Sequence, residues 1–94
     1  RALRVGGVYI LPYKYRGVYA EEKHYAVVVP RVKATYTTYN CVEVVNELVE
    51  VLRRMGVAEV VELDAEVEET DLYRAYRWKD GVVMLQPDEE LAEP

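Results

Sequence analysis

The feature that most constrains how this 94-residue chain can fold is an amphipathic helix predicted over residues 41–55. Asn40 can cap its N-terminus, Glu43 completes a capping box, and Gly56 supplies a left-handed stop. Apolar side chains occupy one half of the helical wheel: Val42, Val44, Val45, Leu48, Val49, Val51, Leu52 and Met55. An apolar face this wide predicts a helix that is either seated deeply on a sheet or shared with a second subunit.

The residues before the helix are typical of β-strands. Residues 8–16 are rich in β-branched and aromatic side chains, and Pro12 predicts an edge strand or a bend there, because proline cannot donate to a sheet ladder. Residues 24–29 form an unbroken apolar run that ends at Pro30. Such a run predicts the central strand of a sheet.

After the helix, residues 57–63 predict a returning strand, and the acidic residues 64–71 predict a loop. Residues 72–79 and 82–86 predict a hairpin around the turn Asp80-Gly81. With that turn, Trp78 faces Val83 and one face of the hairpin meets the core. The side chains on this face are Tyr76, Trp78, Val83 and Leu85.

Together these elements predict one α+β domain over residues 1–86, with the order ββ(β)αβββ. We expect a small antiparallel sheet of four to six strands packed against the one amphipathic helix. The acidic residues 87–94 are predicted to be a frayed tail. The longest apolar runs are far shorter than the roughly 20 residues that a membrane-spanning helix needs, so no membrane association is expected.

Few catalytic chemistries are open to this sequence. It has no serine, and the pair Gly6-Gly7 is too short for a dinucleotide-binding loop. Cys41 and His24 are the only cysteine and histidine, so they can form neither a disulfide nor a zinc site of sulfur and imidazole ligands. Packing roles are favoured for both, and we expect no cofactor, no metal site and, on balance, no enzyme. The lone thiol indicates a reducing, cytoplasmic compartment.

The composition also bears on the source and the charge of the protein. The scarcity of Asn and Gln beside abundant Glu, Arg and Lys is a thermophile tendency. The net charge is −5, yet residues 1–41 carry seven Lys/Arg and two acids, whereas residues 42–94 carry five Lys/Arg and fifteen acids. This asymmetry predicts either a basic surface for an anionic partner or two halves that attract each other.

Seven of the nine tyrosines fall within the first 39 residues, several of them beside cations. Aromatic rings stack on bases while Lys and Arg neutralise phosphates, which is the combination that single-stranded nucleic acid requires. The sequence therefore predicts a module that binds single-stranded DNA or RNA. The candidate phosphate contacts are Lys14, Arg16, Arg31 and Lys33, and the candidate stacking rings are Tyr13, Tyr15 and Tyr36.

Two other interpretations use the same residues. A chain without phenylalanine must build part of its aromatic core from tyrosine. Alternatively, the protein is a non-enzymatic structural or adaptor subunit, in which the valine-rich helix or a Tyr-rich edge strand packs on another copy or on a protein partner. An enzyme that uses Cys41 as a nucleophile is the third hypothesis.

Overall fold

Strand-forming residues fill the first third of the chain, and the computed structural model, which describes residues 1–94, folds them into four strands before the only α-helix. The elements before and including this helix are β1 (Ala2–Val5), β2 (Val8–Arg16), β3 (Glu21–Val29), a 3-10 turn (Pro30–Val32), β4 (Ala34–Thr37) and α1 (Val42–Arg54). Those after it are β5 (Glu59–Val61), β6 (Glu66–Glu69), β7 (Arg74–Trp78), β8 (Gly81–Leu85) and β9 (Glu89–Leu91).

The strands form two antiparallel sheets. The large sheet has the order β4-β3-β2-β1-β5, with β9 also pairing with β2, and the small sheet has the order β6-β7-β8. The predicted α+β class, with an antiparallel sheet packed against one helix, is confirmed. The strands number nine, and the second sheet was not predicted as a separate layer.

The large sheet lies between the helix and the small sheet. Alternate residues of each of its strands point to opposite faces, so one set packs on the helix and the other set on the small sheet. Tyr9, Leu11 and Ala26 pack toward the small sheet, where they meet Val83 and Leu85. On the opposite face, residues of β1, β2 and β3 pack against Val49 of α1: Leu3, Ile10 and Tyr25.

Pro12 lies in the interior of the large sheet, so the predicted edge strand is wrong. β2 pairs with β3 along one side, and along the other side it pairs first with β1 and then with β9. Along this second side, the pairing with β1 ends at Ile10 of β2, and the pairing with β9 begins at Tyr13 of β2. Pro12 therefore occupies the junction where one neighbour gives way to the next, and its missing N–H leaves no ladder bond unmade.

The predicted helix is confirmed to within one residue at each end, but its predicted cap is not. Cys41 occupies the N-cap position and no side chain caps the helix, so Asn40 and Glu43 form no capping box. Gly56 does end the helix, with a φ of 71°. The Val57 N–H donates to the Leu52 carbonyl, which closes the last turn.

Two acidic segments are strands, contrary to prediction. The expected loop at residues 64–71 contains β6, where glutamates face the arginines of β7. The expected frayed tail contains β9, in which Glu89 is buried and its carboxylate accepts the Gln86 N–H at 2.8 Å. β6 forms a hairpin with the next strand, β7, whereas β9 is held by β2, which is distant in sequence.

The predicted hairpin forms with a displaced register. Trp78 faces Gly81 and Tyr76 faces Val83, so the turn residues are Lys79 and Asp80 rather than Asp80 and Gly81. A methyl group on Gly81 would lie 2.8 Å from Val28 Cγ1 and 3.1 Å from the Trp78 ring. Gly81 is therefore required for close packing on β3. The shift preserves strand parity, so the predicted inward face of the hairpin is retained.

Candidate functional site

Tyr13, predicted as a stacking ring, lies between the two sheets with none of its surface exposed. Burial raises the pKa of its hydroxyl, with a smaller contribution from nearby Tyr39. That hydroxyl has no hydrogen-bond partner. Because the ring is enclosed, it cannot stack on a base, and Tyr13 is a core residue rather than part of a binding surface.

The neighbouring basic residues of β2 are engaged by carboxylates. The Lys14 ammonium lies 3.5 Å from Glu21, and the Arg16 guanidinium lies 2.8 Å from Glu90. Tyr15 is partly buried in the same strand, opposite Glu89 of β9. This end of the ribbon formed by β2 and β3 is therefore a mixed, ion-paired surface.

The other predicted contacts lie elsewhere. Arg31 and Lys33 follow the end of β3, and this end lies six residues, or about 20 Å, along the strand from the partner of Lys14. Tyr36 faces Val27 on β3, which places its exposed ring on the helix side of the sheet. The structure thus does not bring the predicted residues together on one surface.

Part of the charge asymmetry is offset by contacts between the two halves of the chain. Arg1 pairs with Glu62 and Arg4 pairs with Glu59, at 2.8 and 2.6 Å. The pair of Arg16 and Glu90 also joins the basic half to the acidic half. The interpretation in which the halves attract each other therefore describes three of the seven cations in residues 1–41.

The most distinctive surface of the molecule is an apolar stripe along α1. The prediction of a deeply seated helix is wrong for this stripe, since Val49 is the only buried residue of α1. Four residues are largely exposed, at 67, 50, 41 and 67% of their surface: Val44, Leu48, Val51 and Met55. Their spacings of four, three and four residues place them on one face, which we call the α1 stripe.

Three charged residues border the α1 stripe along one edge. Glu43 and Glu47 lie toward the N-terminus of the helix and Arg54 toward its C-terminus. None of the three takes part in an ion pair within the monomer, and the guanidinium of Arg54 donates only to the Glu50 carbonyl, at 3.3 Å. The stripe is thus bordered by unpaired negative charges toward the N-terminus of the helix and by an unpaired positive charge toward its C-terminus.

Two further valines expose apolar surface near the α1 stripe. Val57 follows the end of the helix, and Val60 of β5 is the cross-strand partner of Leu3, which packs against the helix. Val60 therefore lies on the helix side of the large sheet, at its edge. These residues widen the apolar surface beyond the helix itself.

The candidate nucleophile Cys41 is exposed at the start of α1, while His24 is buried. The two ring nitrogens of His24 lie 3.4 Å from the Thr38 carbonyl oxygen and 3.2 Å from Glu22 Oε2. None of the surface cavities is lined by Cys41 or His24. The geometry therefore gives this pair no substrate pocket.

Two other features bear on the class of site. No cluster of three His, Cys, Asp or Glu side chains lies close enough together to hold a metal ion. The single α-helix is too short and too polar to cross a bilayer.

No family model matches the chain, and searches of curated proteins and of solved structures likewise return no match. The case for a function therefore rests on the geometry of this chain.

The sequence pattern predicts only a capping role for Glu43 and no role for Glu47 or Arg54. The spacing of the α1 stripe was the available signal, because apolar residues at alternating intervals of three and four are typical of paired helices. The wheel merged this stripe with the residues that face the sheet, namely Val42, Val45, Val49 and Leu52. Only the structure separates the two faces.

Proposed function

We propose that this protein is a non-enzymatic structural subunit that self-associates, with α1 packing antiparallel against α1 of a second copy across a twofold axis. The observation that carries the proposal is the exposed α1 stripe. Contiguous apolar surface on a protein of this size marks an interaction site. The exposed lone Cys41 supports a reducing, cytoplasmic setting.

The spacing of the α1 stripe suits a helix as its partner. Residues at intervals of four and three form the seam of two-stranded helical packing, in which each side chain inserts between residues of the facing helix. A 13-residue helix of this composition would be marginal alone. Here its inner face is already anchored on the sheet by Val49, so the outer face is available without further ordering.

The charges at the edge of the α1 stripe select the antiparallel orientation. With the twofold axis between Leu48 and Val51, Val44 faces Met55 of the second copy, and Arg54 of that copy lies between Glu43 and Glu47. A parallel pair would place like charges at the same level. Because isologous contacts use the same patch twice, this self-complementary pattern favours a second copy over an unrelated partner.

The valines outside the helix make the interface larger. The helix is about 20 Å long, so a pair of helices alone forms a small contact. A stable interface usually buries more than about 1,000 Å² in total. Val57 and Val60 extend the apolar surface at the β5 side and contribute to reaching that size.

Sedimentation velocity over a range of concentrations tests the proposal. We expect a concentration-dependent dimer, and we expect the double variant Leu48→Glu, Val51→Glu to be monomeric, since it would place four carboxylates in the seam. A control is Leu72→Glu, because Leu72 is also an exposed apolar residue, at 83% of its surface, and lies in the loop before β7, far from α1 in sequence. A wild-type monomer at all concentrations would rule the proposal out.

A charge exchange tests the orientation and the identity of the partner. Arg54→Glu should weaken the dimer about tenfold, and Glu43→Arg with Glu47→Arg should weaken it similarly. Combining the three changes in one chain should restore dimerisation, because both members of each contact are then inverted. Lack of restoration would argue against the antiparallel pair of identical chains.

A further inference from the structure

Most cations of this protein are neutralised by neighbouring carboxylates, but a few are not. Seven of the twelve Lys and Arg residues form ion pairs: Arg1, Arg4, Lys14, Arg16, Arg53, Arg74 and Arg77. Of the remaining five, Lys33 and Lys79 line one cleft, and Arg31 lines the cavity beside it. The unpaired positive charge is thus concentrated at one end of the molecule, on the opposite side from β9.

The cleft lies between the connection from β3 to β4 and the hairpin formed by β7 and β8. Its volume is about 630 Å³, with Lys33 on one wall and Arg77 and Lys79 on the other. Asp80 is the only carboxylate that lines it, and this group accepts a hydrogen bond from the Tyr9 hydroxyl at 2.8 Å. Arg77 also pairs with Glu68 at 3.7 Å, so Lys33 and Lys79 are the two unpaired cations that face this one engaged carboxylate, which favours an anion in the cleft.

The walls of the cleft are fixed relative to each other. The Thr35 hydroxyl of β4 donates to the Val82 carbonyl of β8 at 3.3 Å, which joins the edges of the two sheets. Trp78 lines the cleft and is partly buried, with its ring packed against the core and edge-on to Tyr9 at 5.7 Å between ring centroids. Its indole Nε1 is buried without a hydrogen-bond partner. An aromatic side chain therefore lies between the cations of the two walls.

Lys33 adopts a strained backbone conformation at the rim of this cleft. Its φ of 53° is the only positive φ of a residue other than glycine in the chain. This conformation costs a lysine about 1 kcal/mol that glycine would not incur. Lys33 is the C-cap of the 3-10 turn, where its N–H donates to the Pro30 carbonyl at 3.1 Å, and this fixes where its side chain leaves the backbone.

We propose that this cleft binds single-stranded nucleic acid, with one base stacked on Trp78 and the adjacent phosphates contacted by the unpaired Lys33 and Lys79. The combination of a ring with flanking cations is what sequence-tolerant binding of a single strand uses. This site differs from the nucleic-acid site that the sequence predicts, which includes tyrosines of β2. Lys33 is the residue that belongs to both sites.

The surroundings of the cleft favour a single strand over a duplex. β6 lies on the other side of β7 and exposes Glu66, Glu68 and Glu69. Glu69 and Glu68 pair with Arg74 and Arg77. Glu66 is therefore the unpaired carboxylate that the second backbone of a duplex would approach, whereas a single strand can follow the cleft between β4 and β8. Charge repulsion therefore disfavours the wider ligand.

Trp78 is the only tryptophan, so its fluorescence reports directly on this site. We expect short oligothymidylate or oligouridylate to quench this fluorescence at low salt, with an affinity that falls as salt is added. Replacing Lys33 and Lys79 with Gln should reduce the slope of log affinity against log salt by about 1.4, since each phosphate contact of a single strand contributes about 0.7. The affinity itself should fall at least tenfold.

Lys23→Gln is the matched control, because Lys23 is an exposed, unpaired cation on β3 outside the cleft. It should leave the affinity and the salt slope close to those of the wild type. Far-UV circular dichroism confirms that each variant is folded. Absence of quenching, equal loss with Lys23→Gln, equally tight binding of a duplex, or equally tight binding of a mononucleotide would each overturn the proposal.

Discussion

The two faces of the large sheet differ in how completely they are covered. The face toward the small sheet encloses eight buried residues, and the hairpin of β7 and β8 closes over them. The face toward α1 encloses four, and the helix that covers it leaves the α1 stripe exposed. Packing in the space between the sheets therefore holds the monomer together, and the proposed association would cover the exposed side of the helix.

The largest expected effect comes from emptying the closed face. Leu11 is fully buried between the sheets, so Leu11→Ala should lower the free energy of unfolding by about 2–5 kcal/mol. Leu48→Ala, which truncates the same side chain on the α1 stripe, should change that free energy by less than about 0.5 kcal/mol in dilute, monomeric protein. Urea titrations followed by Trp78 fluorescence measure both. Equal losses would contradict the proposed difference between the two faces.

The tightness of the closed face can be tested by overfilling it. Gly81→Ala should cost about 1–3 kcal/mol, because the added methyl group meets Val28 and the Trp78 ring. Gly7→Ala is the control, since nothing lies within 4 Å of a methyl group at that position. If the two variants melt at the same temperature, the hairpin is not packed on β3 as closely as described.

A smaller effect is expected from the buried hydroxyl of Tyr13. Tyr13→Phe should raise the free energy of unfolding by about 1 kcal/mol at neutral pH, because it removes a buried polar group that has no partner. Tyr19→Phe, at a fully exposed position in the turn between β2 and β3, should have no effect. Thermal denaturation of the three proteins makes the comparison. A loss of stability in Tyr13→Phe would show that the hydroxyl does have a hydrogen-bond partner.

The same residue predicts a dependence on alkaline pH. Since the pKa of Tyr13 is raised in the folded state above its ordinary value of 10.0, the unfolded chain loses the phenolic proton more readily, so the free energy of unfolding does not depend on this ionisation below about pH 10 and falls as the pH rises further. Tyr13→Phe should therefore reduce the decline above pH 10 by up to about 1.4 kcal/mol per pH unit. An unchanged decline would mean that Tyr13 ionises equally in both states.

The sequence correctly predicts features that depend on residues close together in the chain. These features are the periodicity of α1, the stop at Gly56 and the inward face of the hairpin. β9 was not predicted, because its acidic sequence becomes a strand only beside β2, more than seventy residues away. Pro12 was misassigned for the same reason, since the gap between β1 and β9 that accommodates it exists only in the folded sheet.

The candidate site was less predictable than the fold. Tyr13 and Tyr15 alternate with cations in the sequence, but strand parity turns Tyr13 into the core, and ion pairs with distant carboxylates engage Lys14 and Arg16. The cations that remain unpaired come from separate segments, with Lys33 after β3 and Lys79 in the hairpin turn. Which cations stay free depends on which carboxylates fold against them, and a single sequence does not reveal those contacts.

The most direct test of the proposed dimer uses the single native cysteine. Cys41 is exposed at the N-terminus of α1, so a spin label can be attached without any mutation. In the antiparallel pair the two Cys41 residues lie at opposite ends of the seam, about 25–30 Å apart, from a rise of about 1.5 Å per residue and a helix separation of about 9 Å. A pulsed dipolar measurement should therefore give one distance near this value, which is absent in Leu48→Glu, Val51→Glu. A distance near 10 Å would indicate a parallel pair, and no dipolar coupling would indicate a monomer, and either result would contradict the proposed assembly.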